Sequence, residues 1–197
     1  MRIFRRFILI QICGIRADRI GHFINDSAEQ FVRFPLYGSK ILTLYFLQGR
    51  SSNSQWDLMV RRNLPNLKGK WLSFIAFWNK KIPGGDAHDL NSSLTRSRDL
   101  EGLFQKNDVA FTFTKCEDNA AKNWLRSKGW QEDEPFVTLL VRDPMYLQTV
   151  YPDQLWGYHD YRNSNVQDYI PAIDWLTENR VWVLRMGRHT KDKLEIN

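Results

Sequence analysis

The sequence predicts an α/β fold. Two apolar runs, 136–141 and 181–184, each end in an arginine followed by a turn, and a helical pattern at 166–179 separates them. A strand, loop, helix and strand in this order are typical of parallel sheets, whose carboxyl ends bind ligands in open α/β folds. Basic residues at those ends suit an anionic ligand such as a nucleoside diphosphate.

Composition limits the size and class of the protein. The 197 residues suffice for one domain or for one domain and part of another, and 43% hydrophobic with 25% charged residues are globular values. The net charge of +6 favours phosphorylated ligands, nucleic acid or an anionic membrane surface without choosing among them. Cys13 and Cys116 form no disulfide framework, so we expect buried, reduced thiols in a cytoplasmic protein.

The amino-terminal segment predicts a strand at 7–12. The apolar run is too short to span a bilayer, and no small-residue cleavage site follows it, so a signal peptide is disfavoured. Peripheral contact of the basic end with an anionic inner membrane stays open. A polar turn at 16–22 then leads to a predicted helix at 26–34, with Asn25, Asp26 or Ser27 as its cap.

Strand and helix patterns alternate through the middle of the chain. In order they predict a strand at 41–47, a helix at 55–62, a loop-rich stretch at 80–97, a strand at 111–114 and a helix at 120–128 closed by Gly129. Periodicity does not decide between strand and helix for the apolar run 71–78. The acidic linker 131–135 predicts a domain boundary, with domains at 1–130 and 131–197.

Gly21 and His22 lie at the predicted junction between the first strand and the first helix. Glycine allows a backbone to approach a ligand closely, and a helix N-terminus favours negative charge. His22 suits a general base or a hydrogen-bond partner of a phosphate or sugar hydroxyl. The alternative is a tight turn with a capping histidine.

Arg142 and Asp143 follow the predicted strand 136–141 directly. An arginine there can grip a diphosphate with two hydrogen bonds, while Asp143 holds its guanidinium or accepts a sugar hydroxyl. An Arg–Asp pair that only fixes the loop is the alternative.

Three more candidates lie beside the second predicted strand. Arg162 suits a phosphate contact, and Ser164 or Asn165 suits the cap of the following helix. Arg185 and Gly187 end the strand at 181–184, where the glycine allows a backbone turn beside a nucleotide; a plain strand terminator has the same sequence.

Several common nucleotide-binding, hydrolase and metal-binding motifs are absent from the sequence. The chain has no Gly-x-Gly-x-x-Gly or Walker loop, no Gly-x-Ser-x-Gly elbow and no Asp-x-Asp, and its four histidines show no metal-ligand spacing. No metal or other cofactor is therefore expected. Recognised nucleic-acid-binding motifs are also absent from the sequence, so a nucleic-acid partner ranks last.

Four segments in order resemble a family of bacterial glycosyltransferases found in surface-polysaccharide gene clusters. They are residues 19–23, 135–143, 161–165 and 183–187, and the resemblance covers nearly the whole chain. The family is similar to two-domain GT-B and fucosyltransferase-like enzymes, which bind a nucleotide-sugar between two Rossmann-like domains. The resemblance implies a Rossmann-like first domain and the beginning of a second one.

The resemblance also implies roles for individual residues. Arg142 would contact the donor diphosphate, Arg162, Ser164 and Arg185 would line the donor side, and Gly21 and His22 would face the cleft from the acceptor side. The substrates implied are a nucleotide-sugar and a glycan or lipid-linked acceptor.

Two full domains need on the order of 300 residues, so we expect a truncated product, a fragment or a split subunit. The competing hypothesis is an inactive remnant or binding subunit on the same scaffold.

Overall fold

The computed structural model describes residues 7–34, 40–91, 99, 102–106, 111–191 and 194. The chain divides into two compact units, Met1–Thr114 and Lys115–Asn197. Each unit combines helices with a small parallel sheet, so the predicted α/β class is confirmed. The Rossmann-like and GT-B architectures are more specific than the α/β class, and they stay predictions.

A three-stranded parallel sheet forms the centre of the first unit. Strand β1 (Leu9–Arg16) lies between β2 (Ile41–Gln48) and β3 (Asp89–Asn91). Pairing of β1 with β2 runs from Leu9 opposite Ile41 to Arg16 opposite Gln48, so both strands end at the same edge. Apolar and β-branched residues dominate β1 and β2, as expected for a sheet covered on its faces.

Helices pack around this sheet. They are α1 (Ile20–Arg33), α2 (Ser54–Asn63), α3 (Trp71–Asn79) and α4 (Leu103–Lys106), with a 3₁₀ turn at Asp86–His88. Phe23 of α1, Tyr45 of β2 and Val60 of α2 are fully buried together. Tyr45 and Phe23 are among the largest fully buried side chains, so they supply much of the apolar area removed from water.

Helix α1 also buries polar side chains. Ser27 donates to the carbonyl of Phe23 and accepts a 3.0 Å hydrogen bond from the indole of Trp56, which ties α1 to α2. Glu29 is nearly fully buried and pairs with Arg33 at 2.8 Å. These partners offset the cost of removing polar groups from water.

The second unit contains two parallel strands, β4 (Phe136–Leu140) and β5 (Trp182–Met186). Its helices are α5 (Lys115–Ser127), α6 (Met145–Val150) and α7 (Ile170–Glu178), with 3₁₀ turns at Gly157–Arg162 and Val166–Tyr169. The buried residues of this unit are Leu125, Trp130, Val141, Trp156, Val166 and Ile173. Strand β4 remains largely exposed.

The division between the units falls before α5, whereas the sequence analysis placed the boundary after it, at residue 131. The acidic segment 131–135 belongs to the second unit because Glu134 fixes it there. Its Oε2 accepts hydrogen bonds from the Trp182 indole and the Gln131 amide, each at 2.8 Å. The indole of Trp130 donates to the Glu134 carbonyl at 2.9 Å. What looked like a linker is a packed turn.

Other expectations from the sequence had mixed outcomes. The strand predicted at 41–47 and the helix at 55–62 are confirmed to within about one residue at each end. The helix predicted at 120–128 is present but begins earlier, at Lys115, and Gly129 has φ +99° as expected for a helix end. The run 71–78 forms helix α3. Residues 111–114 were predicted as a strand and have no regular structure. Cys13 is buried, but Cys116 is exposed.

Removal of the Glu134 carboxylate tests its role in the second unit. We expect Glu134→Ala to lower the free energy of unfolding by about 2 kcal/mol, because a charge-assisted hydrogen bond to a partly buried indole is lost. Denaturant unfolding followed by tryptophan fluorescence measures the change. Glu132→Ala is the matched control, since its partners Arg126 and Lys122 are solvent-exposed. Equal losses in both variants would contradict the assignment.

Candidate functional site

A cavity of about 490 Å³ opens at the carboxyl edge of the first unit's sheet. It is lined by residues from the ends of β1 and β2, from β3 and from helix α3. This is the edge at which parallel α/β sheets bind ligands, because the strands end there and the loops leave room. The cavity is therefore the candidate site of the first unit.

Gly14 makes the floor of this cavity. A Cβ atom at Gly14 would lie 2.9 Å from the Phe46 ring and closer still to the Gln48 amide. Only a residue without a side chain leaves space for Gln48 to cross β1 at this point. The missing Cβ thus places an amide, which both donates and accepts hydrogen bonds, in the lining of the cavity.

Two ion pairs provide the charges of the cavity. Arg16 pairs with Asp18 at 2.9 Å, and Lys80 at the end of α3 pairs with Asp89 at 3.4 Å. Each cation already faces a carboxylate, so the lining offers donors and acceptors with little net charge. Such a lining suits a neutral, hydroxyl-rich molecule better than a bare phosphate.

His22 interacts electrostatically with Arg16 and Asp18, which line this cavity. It is the third residue of α1, where the helix begins six residues earlier than the sequence predicted. Partial burial lowers the pKa of His22 below its ordinary value of 6.5, the charges of Arg16 and Arg19 lower this pKa further, and Asp18 opposes them. The imidazole is therefore mainly neutral at pH 7, the form that a general base needs.

Gly21 lies in the exposed first turn of α1 with helical geometry. A Cβ atom there would meet nothing within 4 Å. Close approach of the backbone to a neighbouring segment therefore does not explain this glycine. The N-terminal position before α1 is held by Arg19 without a side-chain cap, and the predicted caps Asn25, Asp26 and Ser27 lie inside the helix.

The second unit brings together the loops that follow β4 and β5. Asp143 accepts a 2.9 Å hydrogen bond from the Met145 amide at the start of α6 and a 3.2 Å bond from the Lys191 amide. Asp143 thus holds these loops, whereas the sequence predicted that it would hold the Arg142 guanidinium or accept a sugar hydroxyl. Arg142 is exposed, and no residue in the described part of the chain pairs with its side chain.

Arg142 and Ser164 are brought together through the backbone. The Ser164 amide donates to the Arg142 carbonyl at 2.9 Å, which joins the loop after β4 to the segment before α7. The Ser164 side chain is exposed, and the cap of the following turn is Asn165, whose Oδ1 accepts from the Gln167 amide at 3.1 Å. Of the two cap residues considered, the structure selects Asn165.

The remaining candidates have local roles. Arg162 donates to the hydroxyl of Tyr161 at 2.7 Å, with its guanidinium 5.1 Å from the centre of that ring. Arg185 lies within β5 opposite Leu139 and is partly buried. Gly187 has φ +142°, a conformation that other residues rarely adopt, so the predicted turn at this position is present.

The sequence analysis missed the lining of the cavity. Gly14, Gln48, Lys80 and Asp89 lie on four different elements, and only the parallel order of the strands brings them together. The one available signal was Gln48-Gly49 at the end of a predicted strand. Within the described ranges, no group of histidine, cysteine and carboxylate residues could hold a metal ion. Nor does any described helix combine the length and apolar character needed to cross a membrane.

Comparisons of the chain with models of known protein families, with curated proteins and with solved structures found no match. The functional argument therefore depends on the chemistry of the two sites.

The titration of His22 tests its surroundings. We expect its NMR titration midpoint below 6.5, and a rise of this midpoint in Arg16→Gln, because a nearby positive charge that disfavours the imidazolium is removed. His22→Gln assigns the signal. Arg61→Gln is the control, since it removes an arginine that also pairs with a nearby aspartate. A midpoint at or above 6.5 would contradict the geometry.

The same shift predicts the pH dependence of stability. With a lowered pKa in the folded state, the unfolded chain binds more protons between that pKa and 6.5, so the free energy of unfolding falls as the pH falls through this window. His22→Gln should remove this contribution. The unfolding midpoints of the unsubstituted protein and of His22→Gln at pH 8 and pH 5 measure this contribution. An equal change of the midpoint with pH in both proteins would disprove it.

Proposed function

We propose that this protein is a glycosyltransferase, or the N-terminal portion of one, that takes a sugar from a nucleotide-sugar donor for surface-polysaccharide synthesis. The observation that carries the proposal is Arg142. It lies two residues beyond the end of parallel strand β4, its side chain is exposed, and no described residue neutralises it. A planar guanidinium at this place can bind the two phosphates of a nucleoside diphosphate through paired hydrogen bonds.

The loop around Arg142 supports this role because the backbone, and not the arginine itself, holds it in place. The Arg142 carbonyl binds Ser164, and the adjacent Asp143 binds the amides of Met145 and Lys191. The guanidinium therefore stays available while its main chain is fixed. A cation that reaches the departing diphosphate stabilises the negative charge that develops on it. Arg188 and Lys191 in the neighbouring loop add positive charge.

The first unit supplies the acceptor side of the proposal. Its cavity offers an amide and two balanced ion pairs, which suit sugar hydroxyls. His22, which interacts with Arg16 and Asp18 of the lining, has a lowered pKa and serves as the base that removes the proton from the attacking hydroxyl. The substrates in this proposal are a nucleotide-sugar and a glycan or lipid-linked acceptor, and no metal ion is required.

A binding subunit on the same scaffold is the second candidate, and strand β4 favours it. Parallel strands are normally covered on both faces, yet Phe136, Val137 and Leu140 of β4 are exposed. The exposed apolar residues of β4 are suited to packing against another polypeptide, which is a binding role and requires no catalysis.

Calorimetry with UDP-, GDP-, ADP- and CMP-linked sugars tests the donor site. We expect one of these classes to bind, and Arg142→Ala to weaken that binding at least tenfold because a bidentate charged contact is lost. Arg126→Ala is the matched control, since it removes the same charge from α5. Equal weakening by both variants would mean that the loss of donor affinity reflects only the change in net charge, and it would refute the role of Arg142.

Outcomes of the same titration separate the two candidates. Donor binding together with transfer of sugar to an acceptor supports the enzyme. Donor binding without transfer, tested with His22 intact, supports the binding subunit. Absence of binding to every donor class would exclude a complete donor site in this chain.

A further inference from the structure

Helix α3 presents an unusually apolar surface to solvent. Only Leu72 is fully buried, where it packs with Ile12 and Phe46 against the sheet. The aromatic residues of the helix remain exposed by half or more of their surface: Trp71 60%, Phe74 65%, Phe77 55% and Trp78 51%. The Trp78 ring contacts the rings of Phe74 and Phe77, and Ile75 and Ile82 are exposed as well. Contiguous apolar surface of this kind marks an interaction site.

Lysines flank this apolar surface at both ends. Lys68 and Lys70 precede α3, Lys80 and Lys81 follow it, and residues 58–85 contain no aspartate or glutamate. Lys81 lies with its Nζ 5.5 Å from the centre of the Phe77 ring, so its charge is held against the patch. The surface therefore combines exposed aromatic and aliphatic side chains with a rim of positive charge.

The turn after α3 keeps this arrangement fixed. Asn79 donates from Nδ2 to the Gly85 carbonyl at 2.8 Å, and a Cβ atom at Gly85 would overlap the Asn79 carbonyl. The glycine thus allows the chain to fold back directly after the helix. Lys81 lies in this turn, beside the Phe77 ring of the helix.

We propose that α3 docks the protein on an anionic lipid bilayer. Tryptophan and phenylalanine insert at the level of the headgroups, and lysines on the rim bind anionic lipids, as in helices that lie in the membrane interface. Nine residues give a helix of roughly 14 Å, far short of the bilayer core, so the helix lies on the surface and does not span it.

Charge complementarity decides between a bilayer and a second copy of the chain. Lys80 is paired with Asp89, but two copies joined through α3 would still place Lys68, Lys70 and Lys81 of each near those of the other, and like charges repel. An anionic surface reverses the sign of this interaction, and each lysine near it adds about fivefold in affinity. The lysine rim therefore favours lipid as the occupant.

Docking through α3 also bears on the acceptor, and this step rests on the proposed function. Ala76 and Lys80 of the same stretch line the cavity, so docking brings the cavity next to the bilayer surface. A sugar acceptor carried on a lipid would then reach the cavity without leaving the membrane. The binding test below needs no activity, so its failure and failure of the enzyme proposal are separate results.

Flotation with lipid vesicles tests the proposal. We expect binding to phosphatidylcholine vesicles containing about one third phosphatidylglycerol, weak binding to phosphatidylcholine alone, and release by salt. The double variant Phe74→Ser/Trp78→Ser should bind about 100-fold more weakly, since two aromatic side chains no longer leave water. Trp175→Ser is the control, because Trp175 is an exposed tryptophan on a helix of the second unit.

A charge variant keeps the test independent of the aromatic residues. Lys68→Gln/Lys70→Gln/Lys81→Gln should lose about 100-fold in affinity for the anionic vesicles, whereas neutralising Lys115, Lys122 and Lys128 in the same way should cost much less. Circular dichroism checks that each variant is folded.

Three results would overturn the proposal. The first is absence of binding to anionic vesicles at low salt. The second is binding that neither set of α3 substitutions changes, which would assign the membrane contact to another surface, such as the basic amino terminus. The third is a dimer in lipid-free solution that the α3 substitutions dissociate, which would assign the face to a second copy of the chain.

Discussion

Parallel pairing between strands is the constraint on which the rest of this structure depends. In the first unit β1 pairs in parallel with both β2 and β3, and in the second unit β4 pairs in parallel with β5. Parallel strands cannot be joined by a tight hairpin, so each pair requires a crossover connection. Helices α1, α2, α3, α6 and α7 lie in those crossovers, and the loops that leave the strands gather at one edge of each sheet. Both candidate sites lie at such an edge.

The two sites at these edges differ in chemistry. At the edge of the first unit each cation meets a carboxylate: Arg16 meets Asp18 in the turn after β1, and Lys80 meets Asp89 of β3. At the edge of the second unit, the carboxylate of Asp143 is used by backbone amides, so Arg142 keeps its full charge. One edge is nearly balanced and the other is cationic. The glycosyltransferase proposed above would use this division, because a sugar acceptor offers hydroxyls and a nucleotide-sugar donor offers phosphates.

Local patterns in the sequence predicted the elements better than the site. The strands at 41–47 and 136–141 and the helix α5 follow from apolar periodicity and from Gly129, signals that lie within a few residues of each other. The start of α1 was placed too late because no capping side chain marks it. Gly14 and Gln48 meet only through strand pairing, and no local signal describes a contact between residues so far apart in the chain.

The segment 131–135 shows why polar composition alone misleads. Three acidic residues before a proline resemble a solvated linker, and composition offers no reason to place them in a core. Two tryptophans change this outcome, because an indole that leaves water must find an acceptor for its N–H. Trp182 finds the carboxylate of Glu134 and Trp130 finds its carbonyl, so one glutamate satisfies both rings. The acidic turn is therefore part of the packing that joins the end of α5 to β5.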